Sequence, residues 1–294
     1  MRILEWTVSE ESAGKKVKSF VRSDMGVSYH QYAVMKREES LTRNGNPVRA
    51  NDIVQAGDIL RVELPEEDAH EFIMPEDLPV DVVYEDNDIL ILDKPAPLPC
   101  QCSPKQGSGT LENRLAARYG KNFVFRPVNR LDKGTSGLMC VAKHAHAYQA
   151  LQRLLHTDAY QREYLAVAEG EFSGRGTIDL PISKENDATV KRVIDAEHGR
   201  KAVTHYDTIC AANGYTLVHI ALETGRTHQI RVHLSAIGHP VAGDFLYGHE
   251  SEALAGRFAL HSAYIRLPQP VTKEIITLES PMPSELTALL GDGI

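Results

Sequence analysis

Arg126-Pro127-Val128-Asn129-Arg130-Leu131-Asp132-Lys133-Gly134-Thr135-Ser136-Gly137-Leu138-Met139-Cys140-Val141-Ala142-Lys143 decides how the rest of the chain is read. A proline and two glycines frame Arg130, Asp132, Thr135 and Ser136, and the apolar run Leu138 to Ala142 follows at once. Polar groups therefore sit on a loop that feeds a buried strand, the usual construction of an active site. A solvent loop needs no such mixture, yet Asn129-Arg130-Leu131-Asp132 sets a cation two residues from a carboxylate with a leucine between them. On these residues alone, an aspartate capping a turn accounts for the pattern as well as a catalytic carboxylate does.

On the N-terminal side, Val82-Val83-Tyr84, a turn over Glu85 to Asp88, and Ile89-Leu90-Ile91-Leu92 read as paired strands. The second is apolar throughout and so buried on both faces. Asp93-Lys94-Pro95-Ala96-Pro97-Leu98 follows as a loop, and Thr110 caps a helix that presents Leu111, Leu115 and Tyr119 and stops at Gly120. On the C-terminal side, Ala147, Ala150, Leu151, Leu154 and Leu155 form the apolar stripe of a core-facing helix with no chemistry of its own. Residues 162 to 170 read as a strand with Tyr164, Ala166 and Ala168 on one face. Thr216, Val218, Ile220 and Leu222 alternate as another strand; after Gly225 the period turns helical, with Thr227 as N-cap, Ile230, Leu234 and Ile237 as the stripe, and Gly238 as the stop. A strand running straight into a capped helix brings backbone N–H groups and Arg226 to one point, which suits a phosphate. His228 and His233 stand five apart rather than four, a spacing for capping and packing and not for two metal ligands on one helical face.

Three of these segments carry a resemblance. Asn129-Arg130-Leu131-Asp132-Lys133-Gly134-Thr135-Ser136-Gly137 resembles the His-Arg-Leu-Asp-x-x-Thr-Ser-Gly signature of the RluA-type pseudouridine synthases, which isomerise uridine within ribosomal or transfer RNA. Arg162-Glu163-Tyr164-Leu165-Ala166 is similar to that family's Lys-x-Tyr-x-Ala strand, and Gly225-Arg226-Thr227-His228-Gln229-Ile230-Arg231-Val232-His233 matches its third block without change. The resemblance implies that Asp132 is catalytic, that Tyr164 stacks on the target base and is a candidate for proton transfer, and that Arg231 pairs with Asp132. It implies a part for Arg130 in displacing the base from its stack. It departs at Asn129 for His, Pro97 for Gly, Ser262 for Ala and Gln269 for His, and it continues through Gly243-Asp244-Phe245-Leu246-Tyr247-Gly248 to about residue 285. Proline cannot take the positive φ open to glycine, so the loop at Pro97 is expected to follow its own path.

The fold implied is α+β, with a mixed, largely antiparallel central sheet and flanking helices over residues 80–294. The reaction cleaves the glycosidic bond of a uridine, rotates the uracil and rejoins it to the ribose through carbon 5. Nothing is oxidised and no group is lost, so neither cofactor nor metal is expected.

The 294 residues, 42% hydrophobic, can bury one substantial core and a small second domain. No run reaches the roughly 18 apolar residues of a membrane span and the N-terminus lacks a signal-peptide core, so the sequence predicts a cytoplasmic protein without a membrane partner. Four cysteines, with no Cys-x-x-Cys pair, fit a reducing compartment and argue against zinc. A net charge of −8 weighs against a nucleic-acid partner, but its distribution answers this. Residues 65 to 90 hold ten acids and no Lys or Arg, and without them the charge becomes +2, compatible with a basic cleft and with RNA rather than a DNA-packaging role.

Residues 1–64 read as a separate α+β module. Val17, Phe20 and Val21 recur at helical spacing, Ser28 caps a second helix with Tyr32 and Met35, Asn44-Gly45 signals a hairpin, and Leu60, Val62 and Leu64 alternate as a strand. The order resembles the alpha-L RNA-binding domain. Lys15, Lys16, Lys18, Arg22, Lys36, Arg37, Arg43 and Arg49 would then supply a phosphate-binding face, although a merely solvated surface fits the same charges. Residues 65–79, acidic and punctuated by Pro65, Pro75 and Pro79, read as a flexible, extended linker. Lys184, Lys191, Arg192, Arg200 and Lys201 mark a second charged stretch, open to reading as an RNA-contacting insertion or a solvated loop. The whole is expected to be a monomer acting on structured RNA. An RNA-binding or ribosome-assembly protein that has lost catalysis is the alternative; a glycosidase lacks its second carboxylate in these motifs.

Overall fold

The computed structural model describes residues 2–27, 29–37, 40–64, 73–103, 106–120 and 122–291. Beyond residue 80 a ten-stranded sheet organises the chain. From edge to edge run Arg175–Asp179, Val203–Ala212, Tyr215–Leu222, Gln161–Glu169, Leu260–Pro268, Ser136–Ala142, Ile89–Lys94 and Asp81–Glu85, with Ile275–Glu279 beside Leu260–Pro268 and Arg126–Pro127 beside Ser136–Ala142. Each ladder is antiparallel except the one joining Leu260–Pro268 to Ser136–Ala142. The mixed, mainly antiparallel α+β sheet expected from the sequence is the one formed.

The unbroken apolar runs follow from burial on both faces. Leu90, Leu92, Met139 and Val141 face one core, while Ile89, Ile91, Leu138, Cys140 and Ala142 face another on the opposite side. The helix Ala145–Leu154 covers the second core with Ala147 and Leu151, and the helix Leu111–Tyr119 packs Leu111 and Leu115 into the first. Thr110 caps that helix as the sequence predicts, its side chain accepting from Asn113 N–H. Gly137 is required by the parallel ladder. Its φ is +104°, and a β-carbon there would stand 2.3 Å from the carbonyl oxygen of Ser262 on the neighbouring strand, so only glycine lets the two backbones meet.

The N-terminal residues form a four-stranded sheet, in the order Arg2–Thr7, Ile59–Leu64, Leu41–Arg43, Asn46–Pro47, with helices Val17–Ser23 and Tyr29–Arg37. Leu4, Val17, Phe20, Val21, Met35, Leu60, Val62 and Leu64 share its core. Asn44 and Gly45 both have positive φ, 51° and 80°, as a two-residue hairpin turn requires. Ser28, the expected cap, lies outside the described residues. The module leans on the larger unit: Val271 packs against its core, and Trp6 meets His146 edge to face with centroids 5.7 Å apart.

Of the expected linker, residues 65–72 lie outside the described residues. The remainder is not a free tether, which corrects the expectation. Asn113 Nδ2 donates to Met74 O at 2.7 Å, Glu76 N–H to Asn113 O at 3.0 Å, Gly109 N–H to Glu76 Oε1 at 2.8 Å, and Arg114 to Pro79 O at 3.0 Å. The bonds run to the side chains of Asn113 and Arg114 and to backbone at Gly109 and Asn113, so this extended segment is laid along the start of the helix Leu111–Tyr119. Among the described residues no helix is long and apolar enough to cross a membrane.

Candidate active site

Asp132 lies in the loop that enters Ser136–Ala142, next to the middle of the sheet, and lines a cleft of about 890 Å³. Its loop is held from three directions. Asn129 Oδ1 accepts from Cys140 N–H at 3.0 Å and Tyr160 O–H at 3.1 Å, fastening the loop to its own strand. Cys100 Sγ donates to Leu131 O at 3.0 Å. Lys94, fully buried, donates to Pro95 O, Leu98 O and Lys133 O at 2.9, 2.8 and 3.5 Å, joining the 95–98 loop to the residue after Asp132. Burial brings the Lys94 ammonium down to about 8, and those carbonyls are what make a buried cation tolerable. The Ala96–Pro97 peptide in this loop is cis.

Arg231 sits in the helix Gln229–Ala236, immediately after the Tyr215–Leu222 strand. It reaches Asp132 as the resemblance implies, NH1 to Oδ2 at 2.9 Å. The other side of the guanidinium forks onto Asp244, Nε to Oδ2 at 2.6 Å and NH2 to Oδ1 at 2.8 Å, and its plane lies over the Phe258 ring at 4.0 Å. Asp244 is fully buried and also accepts from the N–H groups of Leu246 and Tyr247. The arginine is thereby fixed by one carboxylate and presented to another. Both contacts on Asp132 fall on Oδ2, so among the described residues Oδ1 makes no hydrogen bond. A quarter of the Asp132 side chain is exposed, against 4% for Arg231.

Tyr164 is buried on Gln161–Glu169 and lines the same cleft, and burial pushes its hydroxyl above the ordinary tyrosine value. Arg130 and Arg226 line it too, the first exposed, the second donating through Nε to Lys201 O at 3.0 Å. With Arg126, Arg162 and Arg231 they give the cleft five arginines against one carboxylate, that of Asp132, among the described residues, despite the acidic total. The module's cations divide. Lys15 pairs with Asp24 at 2.7 Å and Arg43 with Asp58 at 3.8 Å, whereas Lys16, Lys18, Arg22, Lys36 and Arg49 are exposed; Arg37 is exposed too but is not without a partner.

Three expectations need correction. Thr227 is not the cap of the helix Gln229–Ala236; His228 holds that position with left-handed φ of 59° and makes no side-chain cap. Gln229 Oε1 takes the Arg226 N–H and the Thr224 hydroxyl instead, and Thr227 lines the cleft. The helix Ala145–Leu154 does not face the core alone, since Tyr148, Gln152 and, just beyond it, Leu155 and His156 line the cleft on its other flank. His228, assigned to capping and packing, lines the cleft beside Asp132; His233 does pack, bonding to Thr204 and Leu180 O. The charged stretch near 184–201 contains a short hairpin, Ile182–Lys184 with Arg192–Ile194, set against Val232 and Tyr247.

Comparison with known proteins agrees with this geometry. The sequence pattern of the family described as RNA pseudouridylate synthase matches residues 88–236. The uncharacterized RNA pseudouridine synthase YlyB of Bacillus subtilis is 36% identical over 298 residues, covering 99% of this chain and 98% of its own. Ribosomal large subunit pseudouridine synthase D of Haemophilus influenzae is 38% identical over 310 residues, covering 98% and 90%. Among solved structures, human RNA pseudouridylate synthase domain containing 1 superposes with a TM-score of 0.57 at 28% identity, covering 72% of this chain and 87% of that one. The chain belongs to the RNA pseudouridylate synthase family, of the RluA type. It is an isomerase that converts uridine to pseudouridine in RNA.

Proposed function

We propose that the chain acts as a monomer on ribosomal RNA, with Asp132, Tyr164 and Arg231 carrying the chemistry within residues 80–294 and residues 1–64 adding a second grip on the RNA. The observation that carries this reading is the Asp132–Arg231–Asp244 chain at the floor of an arginine-lined cleft. The name of the Haemophilus relative motivates the choice of ribosomal RNA.

In this reading the cleft receives a flipped uridine. As the bond between C1′ and N1 breaks, the electron pair leaves with the uracil, and the Asp132 carboxylate meets the electron-poor ribose. The uracil turns, C5 bonds to C1′, the proton on C5 is lost and N1 gains one, so the product is an isomer of the substrate. Arg231 holds Asp132 in place. Arg130 and Arg226 meet backbone phosphates, as do Lys16, Lys18, Arg22, Lys36, Arg37 and Arg49 on the module. Lys15 and Arg43, already paired, contribute less.

Mapping pseudouridines in total RNA from cells with and without the protein tests the assignment; loss of a ribosomal site that the purified protein restores supports it, and an unchanged map sinks it. Tyr164→Phe separates two roles of one side chain. In this reading the hydroxyl takes part in proton transfer, and its removal should lower turnover by about two orders of magnitude with little change in RNA affinity. Undiminished turnover would leave Tyr164 a stacking surface only. Reversing charge at Lys18 and Arg22 together should weaken RNA binding and flatten its dependence on salt while leaving the rate on bound RNA unchanged. Binding unaltered at every salt concentration would remove the module from the interface.

A further inference from the structure

His228 is the residue next to Asp132 that the reaction described above leaves without a task. Its φ of 59° and ψ of 18° put a bulky residue in the left-handed region, where histidine is tolerated but uncommon, and that backbone turn sends the imidazole toward Asp132. The ring is held from behind. Tyr247 O–H accepts from Arg192 N–H at 2.8 Å and lies 2.8 Å from His228 Nδ1. A tyrosine hydroxyl has one proton, and among the described residues Nδ1 is its one acceptor, so Tyr247 donates and Nδ1 accepts. The proton of a neutral imidazole then resides on Nε2, which lies 3.9 Å from Asp132 Oδ2. Burial, helped by the nearby cations Arg231 and Arg192 and opposed by Asp132 and Asp244, favours that neutral form.

A separation of 3.9 Å is too long for a hydrogen bond but matches two of them. Two bonds of about 2.8 Å that meet on one atom at about a right angle span about that distance. The bridging atom must accept from Nε2–H and donate to a carboxylate. The carbonyls of uracil only accept and its N3–H only donates. Within an RNA chain, the 3′ and 5′ oxygens being esterified, the group that does both is the ribose 2′-hydroxyl.

We infer that His228 and Asp132 together bind the 2′-hydroxyl of the target nucleotide, with His228 Nε2–H as donor and Asp132 Oδ2 as acceptor. This rests on the reading of Asp132 as the catalytic carboxylate, and it gives the site its own means of rejecting deoxyribose. It also places the ribose against Asp132 at the carbon adjacent to C1′, where the bond breaks. Tyr247 is the positioning residue, since it fixes which nitrogen carries the proton.

The test uses the full chain and a transcript of the ribosomal segment containing the mapped uridine, made with either ribose or 2′-deoxyribose at that one nucleotide. Removing the hydroxyl should lower kcat/KM of the unmodified enzyme by about a hundredfold or more. His228→Asn, which tolerates the left-handed backbone but is too short to place a donor where Nε2 stands, should lower kcat/KM on the ribose substrate by about tenfold and leave it nearly unchanged on the deoxyribose one. The ribose-to-deoxyribose ratio therefore contracts by about tenfold, and comparing ratios cancels the different intrinsic strengths of the two glycosidic bonds. Tyr247→Phe should contract the ratio in the same direction and by less, and it keeps the question answerable if His228→Asn fails to fold. An unchanged ratio in an active His228→Asn enzyme, or equal use of both substrates by the unmodified protein, overturns the inference while leaving the functional assignment intact. An unmodified protein that forms no pseudouridine in any ribosomal RNA overturns both.

Discussion

Asp132→Asn is expected to fold, to bind its RNA within about threefold of the unmodified affinity, and to form no pseudouridine above about one part in ten thousand of the normal rate. Asparagine has nearly the shape of aspartate, the side chain is partly exposed, and Arg231 keeps both of its bonds to Asp244, so the change costs about 1 kcal/mol of stability or less. Affinity comes from phosphate contacts spread over the cleft and module, which a single carboxylate does not supply. Catalysis depends on that carboxylate, because an amide is a poor nucleophile and offers no charge to an electron-poor ribose. Circular dichroism, filter binding and tritium release from RNA labelled at carbon 5 of uridine make the measurement. Release within tenfold of normal would sink the catalytic assignment of Asp132.

Asp244→Ala is expected to lower stability by about 3–5 kcal/mol, although Asp244 touches no substrate in this reading. The substitution strands a buried guanidinium that loses two of its three carboxylate bonds, and it takes the side-chain acceptor from the N–H of Leu246. Asp244→Asn should cost less, since an amide oxygen still accepts one bond, but it should misplace Arg231 and slow turnover more than it weakens RNA binding. Urea denaturation decides the first point: a loss under about 1 kcal/mol for the alanine variant would mean that Phe258 and Asp132 suffice to hold Arg231.

Much of this was legible locally. Unbroken apolar runs gave away Ile89–Lys94 and Ser136–Ala142, Thr110 and Gly120 marked their helix, and Asn44-Gly45 its hairpin, because each is determined by residues adjacent in sequence. The pairing of Asp132 with Arg231 came through the family resemblance and not through any period in the sequence; the two stand 99 residues apart. What stayed hidden has the same cause. Asp244 reads as one acid in a loop until the fold carries it under Arg231, and Lys94 reads as a surface lysine until three carbonyls surround it. His228 was read for capping and packing, and it does stand at the N-cap and pack on Tyr247; its place beside Asp132 was missed, because helical spacing does not apply to a residue in left-handed backbone before the helix has begun. The strand Arg2–Thr7 was not read from the sequence at all, since a few mixed residues beside the N-terminus carry little signal until Ile59–Leu64 pairs with them.

The parallel ladder between Ser136–Ala142 and Leu260–Pro268 sets a schedule for the enzyme's birth on the ribosome. Ser136 bonds to His261, 125 residues later, and Gly137 lies against Ser262, so the strand that follows the catalytic loop cannot find its neighbour until nearly the whole chain has emerged. At about 5–20 residues per second, that is a wait of roughly 6–25 s during which Ser136 and Gly137 have no strand partner on that side, while Arg126–Pro127 already pairs with Val141 and Ala142. A nascent chain therefore carries all three motifs before it carries an active site.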